Sequence, residues 1–187
     1  MTSITRAVPL PANCQLTPTQ HDADFADAYE TLVPKSDLSA TEIYCAVARQ
    51  TPGWVNALMW LRNRLVQPFG LKDAGAISNV PAARSATAVP GQRMGLFEVV
   101  SVSASELVLQ DDDKHLLVQL SVLKQSHDTT HDKLTISTVV HIHNTLGCVY
   151  MTFVGPAHKV IAPAITRRAS RAVAKSLPGF EIGVKKV

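Results

Sequence analysis

Apolar and polar residues alternate along several segments in the second half of the chain, which is the pattern of half-buried β-strands. This alternation predicts an antiparallel meander with strands over residues 96–102, 106–109, 115–123, 133–143 and 146–154. β-branched and aromatic residues predict an earlier strand over residues 25–33. One sheet with an apolar face therefore dominates the expected structure.

Helical signals mark three other segments. Ser39 followed by Glu42 is typical of a helix N-cap and predicts a helix over residues 40–49. Pro52 suits a first helical turn, and apolar residues recur from Trp54 at the spacing of one helical stripe, so a second helix is predicted over 52–68. Pro156 is expected to begin the last helix, over 156–176. Residues 70–92 predict a long surface loop.

This order of elements predicts an α+β fold in which an antiparallel meander sheet wraps around a long C-terminal helix, with two helices between the first strand and the rest. The same order is similar to the helix-grip fold of START-like and birch-pollen-allergen-like proteins. We expect an irregular lead-in over residues 1–22, a single domain over 23–180 and a basic tail over 181–187.

Composition narrows the class of protein. The 187 residues are 46% hydrophobic, enough for a core, and the net charge of +3 is too small to indicate a nucleic-acid or anionic-lipid partner. The last thirty residues hold a local basic excess, which is interpreted first as a surface feature. Three widely spaced cysteines favour a reducing compartment. No signal peptide or membrane-spanning stretch is apparent, so a soluble cytoplasmic protein is expected.

Particular residues add a family resemblance. The segments WVNALMWLRNRLVQPFGL from Trp54, KHLLVQLSV from Lys114 and NTLGCVYMTFVGPAH from Asn144 resemble the bacterial domain of unknown function 2867 family. The matching residues are Trp54, Leu61, Arg62, Asn63, Gly70, Leu71, His115, Leu116, Asn144, Leu146, Gly147, Tyr150, Pro156 and His158. The chain departs from the family pattern at Leu117, Gln119, Cys148 and Ala157. The resemblance implies a fold but no activity.

Strand alternation also gathers polar side chains on one sheet face. It turns Leu134, Ile136, Thr138, Val140 and Ile142 toward the core and sends the alternate residues outward. The outward face would then gather His115, His141, His143 and Cys148. A solvated polar face is the favoured interpretation; a zinc site and an activated Cys–His pair are the alternatives, because imidazole and thiolate bind zinc and a base activates a thiol.

The leading functional hypothesis is a small-molecule binding module whose apolar pocket lies between the inner sheet face and the last helix. Its candidate lining residues are Trp54, Leu58, Arg62, Val118, Leu120, Ile136, Thr138, Val140, Met151, Phe153, His158 and Ile161. A hydrophobic or aromatic ligand is expected, and no cofactor unless zinc binds. One alternative is a cyclase-like or hydrolase-like enzyme using His or Tyr in acid–base chemistry. Another is an interaction or homodimer module whose outward face presents Leu117, Val139 and Tyr150.

Overall fold

A computed structural model describes residues 4–66, 78–82 and 86–177, and it confirms the α+β fold. Residues 70–77 and 83–85 of the predicted loop 70–92 and the whole tail 181–187 lie outside the described residues. The strands are β1 (Arg6–Val8), β2 (Phe25–Pro34), β3 (Arg93–Met94), β4 (Phe97–Val102), β5 (Glu106–Asp112), β6 (Leu116–Ser126) and β7 (His131–Ile142). The helices are α1 (Ala40–Ala48), α2 (Gly53–Val66) and α3 (Thr145–Ser176), with a 3-10 helix at Pro18–Asp22.

In the described part of the chain the strands form one antiparallel sheet in the order β1-β2-β7-β6-β5-β4-β3. The first long strand, β2, therefore pairs with the last, β7, and closes the meander at that side. The helix α3 runs mainly against β2, and α1 packs against α3 and over β5 and β6. Both helices cover the same face of the sheet, called the inner face below.

The cap predicted for α1 is present. The Ser39 hydroxyl accepts a hydrogen bond from the Glu42 backbone N–H at 3.3 Å, and the Glu42 carboxylate accepts one from the Ser39 backbone N–H at 2.8 Å. This reciprocal pair satisfies two of the N–H groups that a helix leaves free at its start.

The strand predicted over residues 146–154 is wrong, because this segment is the first part of α3. Asn144 caps the helix by accepting a hydrogen bond from the Gly147 N–H at 3.1 Å. Pro156 was predicted to begin the helix, because a proline inside a helix removes one backbone hydrogen bond. In the structure α3 continues through both Pro156 and Pro163. The last helix therefore begins eleven residues earlier than its predicted first residue, 156.

The inner face holds the main core, as the alternation predicted. Val122 and Leu134 on the sheet are buried together with Ile43 of α1 and Val173 of α3. The buried positions of α3 fall largely in its C-terminal half, from Thr166 to Val173. This end of the inner face is consequently closed by both helices.

The outer face is not the solvated surface that the sequence predicted. Residues 9–23, called the N-terminal cover below, lie across it and bury Leu10, Cys14 and Leu16 against Val139 and neighbouring strand residues. Beneath the cover, the buried Glu106 carboxylate accepts hydrogen bonds from the Ser121 hydroxyl at 2.6 Å and the Gln15 N–H at 3.0 Å. Since Val139 is fully buried, the docking surface predicted there does not exist in that form.

Candidate functional site

The inner face changes from closed to half-open along its strands. Leu107, Leu109 and Leu134 are completely buried, whereas Val118, Leu120 and Ile136 remain partly exposed. The half-open part lies toward the N-terminal half of α3, where fewer helix residues are buried. Apolar surface that the helices cover only in part is a common setting for a small-molecule site.

Strand register places polar groups in the middle of this apolar area. Thr138 of β7 pairs with Asp27 of β2 on one side and with Leu120 of β6 on the other. Directly opposed residues hold their Cβ atoms about 5 Å apart, so the three side chains form one row across the sheet. We call Asp27, Val118, Leu120, Ile136, Thr138 and His158 the inner-face site.

His158 of α3 closes the site over Asp27. Its Nε2 lies 3.1 Å from Asp27 Oδ1, and because a carboxylate only accepts, this ring nitrogen carries the proton. The Phe25 ring meets the His158 ring edge-on at a centroid distance of 5.6 Å. The imidazole is therefore fixed in orientation by one hydrogen bond and one aromatic contact.

The second oxygen of Asp27 has no such partner. Asp27 Oδ2 is buried and accepts no hydrogen bond in the described part of the chain. The other buried side-chain atoms without a hydrogen-bond partner, in the described part of the chain, belong to hydroxyl or amide groups. Asp27 Oδ2 is the one carboxylate oxygen in this set. A buried acceptor without a donor is costly, and a charged one more so, which makes this oxygen the most specific polar feature of the site.

Tyr29 adds a phenol to the same face, two residues along β2 from Asp27. Partial burial, then the negative charge of Asp27 and a hydrogen-bonding interaction with the Asp27 carboxylate, raise the pKa of the Tyr29 hydroxyl above its ordinary value. The phenol consequently stays protonated well beyond neutral pH. Its proton is directed toward the Asp27 carboxylate at the border of the inner-face site.

The predicted pocket residues separate into three groups. Val118, Leu120, Ile136, Thr138, Val140, His158 and Ile161 are buried or partly buried on the inner face and on α3, and Met151 is partly buried on α3. Trp54 and Leu58 are 43% and 40% exposed on α2, and the Arg62 side chain lies outside the description. Phe153 is 74% exposed and cannot line the site, because the segment that was predicted as a strand is a helix whose opposite side faces the sheet.

Sequence reasoning missed Asp27. The signal was present in β2, whose alternation turns Phe25, Asp27, Tyr29, Thr31 and Val33 to one face. An acid within such a set, on a strand expected to be buried, indicates a carboxylate that needs a partner.

His115 and His143, which were predicted to belong to one cluster, instead form hydrogen bonds where the turn between β5 and β6 meets the start of α3. The His143 N–H donates to the His115 carbonyl at 2.9 Å, so these two residues lie opposite each other, and His143 Nδ1 lies 3.1 Å from the Asp113 carbonyl oxygen. The Asn144 amide nitrogen lies 2.9 Å from the Lys114 carbonyl and 3.1 Å from His115 Nδ1. Asn144 thus ties the turn between β5 and β6 to the start of α3.

No metal centre is assembled in the residues that the structure describes, where no three His, Cys, Asp or Glu side chains form a group able to hold an ion. His141 pairs with Leu117 on the outer face, and Cys148 is exposed on the first turn of α3. The two other thiols are buried. Burial raises the pKa of Cys45 to about 11 and also raises that of Cys14, so both stay protonated and unreactive at neutral pH.

A cavity of about 440 Å³ lies away from the inner-face site, at the sheet edge where β1 meets β2. Its lining residues are Ile4, Arg6, Glu30, Thr31, Leu32, His127 and Lys133. Arg6 forms an ion pair with Glu30, so part of its charge is already neutralised within the protein. None of the residues predicted to line the ligand pocket or to form the His115, His141, His143 and Cys148 cluster is among its lining residues.

These features define an α+β protein of the helix-grip kind, in which an antiparallel sheet and a long C-terminal helix enclose a partly polar inner face. The chain belongs to the family described as Protein of unknown function (DUF2867), whose model matches residues 19–165. No curated protein matches the chain. A protein from Arthrobacter aurescens with a solution NMR structure is similar at 9% identity and a TM-score of 0.39, over 82% of this chain and 91% of that one.

The family match begins within the N-terminal cover and ends in the middle of α3, so it includes the whole inner-face site. In the described part of the chain, no helix combines the length and apolar character needed to cross a membrane.

Proposed function

We propose that the protein binds a small, mainly hydrophobic or aromatic molecule at the inner-face site. The observation that carries this proposal is the buried Oδ2 of Asp27, which has no partner within hydrogen-bond distance, beside partly exposed apolar residues of the sheet. Apolar side chains supply most of the contact in such sites, and a few polar groups fix the orientation of the ligand. A ligand with one hydroxyl or N–H group would satisfy both features.

The neighbouring groups support a ligand that donates a hydrogen bond. Asp27 Oδ1 is bonded to His158 and the carboxylate also interacts with the Tyr29 hydroxyl, but Oδ2 has no partner within hydrogen-bond distance and is the acceptor open to a ligand. A donor from the ligand would recover the free energy that burial of this oxygen costs. The hydrogen-bonded Asp27–His158 pair is also the feature that favours an acid–base enzyme, since a carboxylate commonly orients a catalytic imidazole. Binding is the simpler proposal, because it requires only contacts with the ligand, whereas an enzyme would also require a substrate whose reacting atom lies beside His158.

Titration with 2-naphthol, a fluorescent aromatic alcohol, tests this proposal. We expect 2-naphthol to bind at least about tenfold more tightly than 2-methoxynaphthalene, because one hydrogen bond to a charged acceptor contributes about 1.5 kcal/mol or more. The Asp27→Asn variant should lose most of this difference. Fluorescence titration of both ligands against both proteins provides the measurement.

A matched pair of tryptophan variants locates the bound molecule. Leu120→Trp fills the half-open inner face and should weaken naphthol binding about tenfold or more, whereas Leu117→Trp adds the same bulk on the opposite face of the same strand and should not. Equal effects of the two variants, or no binding of either naphthalene at millimolar concentration, would argue against the site.

A further inference from the structure

The side of α3 that faces away from the sheet carries an unusual row of exposed apolar residues. Val149, Phe153 and Val160 are 52%, 74% and 62% exposed, and Pro156 between them is also exposed. They recur at intervals of four, three and four residues, so they form one stripe about 17 Å long. The buried residues Ala169 and Ala172 lie on the opposite side of the helix.

The same stripe becomes basic in the second half of α3. Arg167 and Arg171 follow Val149 by about five and six helical turns and continue the apolar row, while Lys159, Arg168 and Lys175 flank it. All five side chains are exposed, and none forms an ion pair with a residue that the structure describes. The sequence of α3 contains no Asp or Glu, so no acidic residue of the helix offsets these positive charges.

We propose that this outward side of α3, called the outer helix stripe below, docks on an anionic lipid bilayer. Helices that lie in a membrane surface insert an apolar row at the boundary between headgroups and acyl chains and place basic residues against lipid phosphates. Val149, Phe153 and Val160 supply the apolar row. Arg167, Arg171 and the flanking cations supply the phosphate contacts.

A second copy of the chain fits the stripe less well. Four apolar side chains over about 17 Å of helix cover only a few hundred Å², whereas a stable protein interface buries about 800 Å² on each partner. Two copies would also bring together two helices that carry the same sign of charge. A bilayer needs less apolar area, because each basic residue near an anionic surface adds about fivefold to the binding constant.

Co-sedimentation of the full chain with vesicles tests the docking surface. We expect binding to vesicles of phosphatidylcholine mixed with phosphatidylglycerol to be at least about tenfold stronger than to phosphatidylcholine alone, and to weaken as salt is raised. The double variant Arg167→Ala/Arg171→Ala should lose about 30-fold in binding, since it removes two cations. Phe153→Ser should lose about tenfold, because it removes the largest inserted side chain.

The matched control is the double variant Arg6→Ala/Lys133→Ala, which removes the same charge from the outer face of the sheet, on the side away from α3. It should bind vesicles as the wild type does. Equal binding to both kinds of vesicle, no binding to either, or equal losses in the two double variants would overturn the proposal. So would a doubled mass in light scattering that Phe153→Ser abolishes, without vesicle binding, since the stripe would then join two copies.

Discussion

Gly147→Ala is expected to lower the free energy of unfolding by about 2–4 kcal/mol. A Cβ atom at this position would lie 2.3 Å from the His115 carbonyl oxygen and 2.8 Å from Cγ2 of Ile142. The carbonyl cannot retreat easily, because it accepts the His143 N–H at 2.9 Å. The start of α3 would have to move off the sheet, which would also strain its Asn144 cap. Urea unfolding followed by circular dichroism measures the change.

Gly155→Ala in the same helix is the matched control. Gly155 is buried, but nothing lies within 4 Å of a Cβ built there. Alanine is the better helix former by about 1 kcal/mol, so this variant should be as stable as the wild type or slightly more stable. If the two glycine variants were destabilised equally, the close approach of α3 to the His115 carbonyl would not be what requires glycine at position 147.

Leu16→Ala is the second variant for which a large effect is expected, a loss of about 2–4 kcal/mol in the free energy of unfolding. Leu16 is only 2% exposed and packs in the cluster formed by the N-terminal cover and the outer sheet face. Its truncation would leave a cavity above Leu123 and Val139. The same urea unfolding experiment measures the loss.

Leu32→Ala provides the comparison for the cover. Leu32 also lies on the outer face, but it is 37% exposed, so its truncation should cost less than about 1 kcal/mol. Similar losses in the two leucine variants would mean that residues 9–23 add little to the core. The outer face would then be closer to the solvated surface that the strand alternation predicted.

Elements with strong local signals were predictable from the sequence. The Ser39–Glu42 cap gave the start of α1, and the alternation in β6 and β7 gave the correct inner face. The segment 146–154 was not predictable in the same way, because a short apolar run fits either a strand or a helix. The Asn144 cap decides between them, and it depends on a hydrogen bond to Gly147 that periodicity does not reveal.

The N-terminal cover and Asp27 escaped prediction for a different reason. Residues 9–23 show no hydrophobic periodicity. Their apolar side chains are buried only because they pack against the outer face of the sheet, where odd-numbered residues of β7 such as Val139 lie. Asp27 becomes distinctive only when α3 brings His158 to it across 131 positions of sequence. The lining residues of the inner-face site on β6 and β7 were predictable, since they follow from strand alternation alone.

Xenon binding followed by NMR of methyl groups tests whether the inner face is open to a small apolar molecule, because xenon enters apolar cavities of sufficient size. We expect xenon to shift the methyl signals of Val118, Leu120 and Ile136, which line the half-open part of the inner face. The signals of the fully buried Leu107, Leu109 and Leu134 should stay unchanged. Shifts confined to other parts of the protein, or no shifts under xenon pressure, would contradict this expectation.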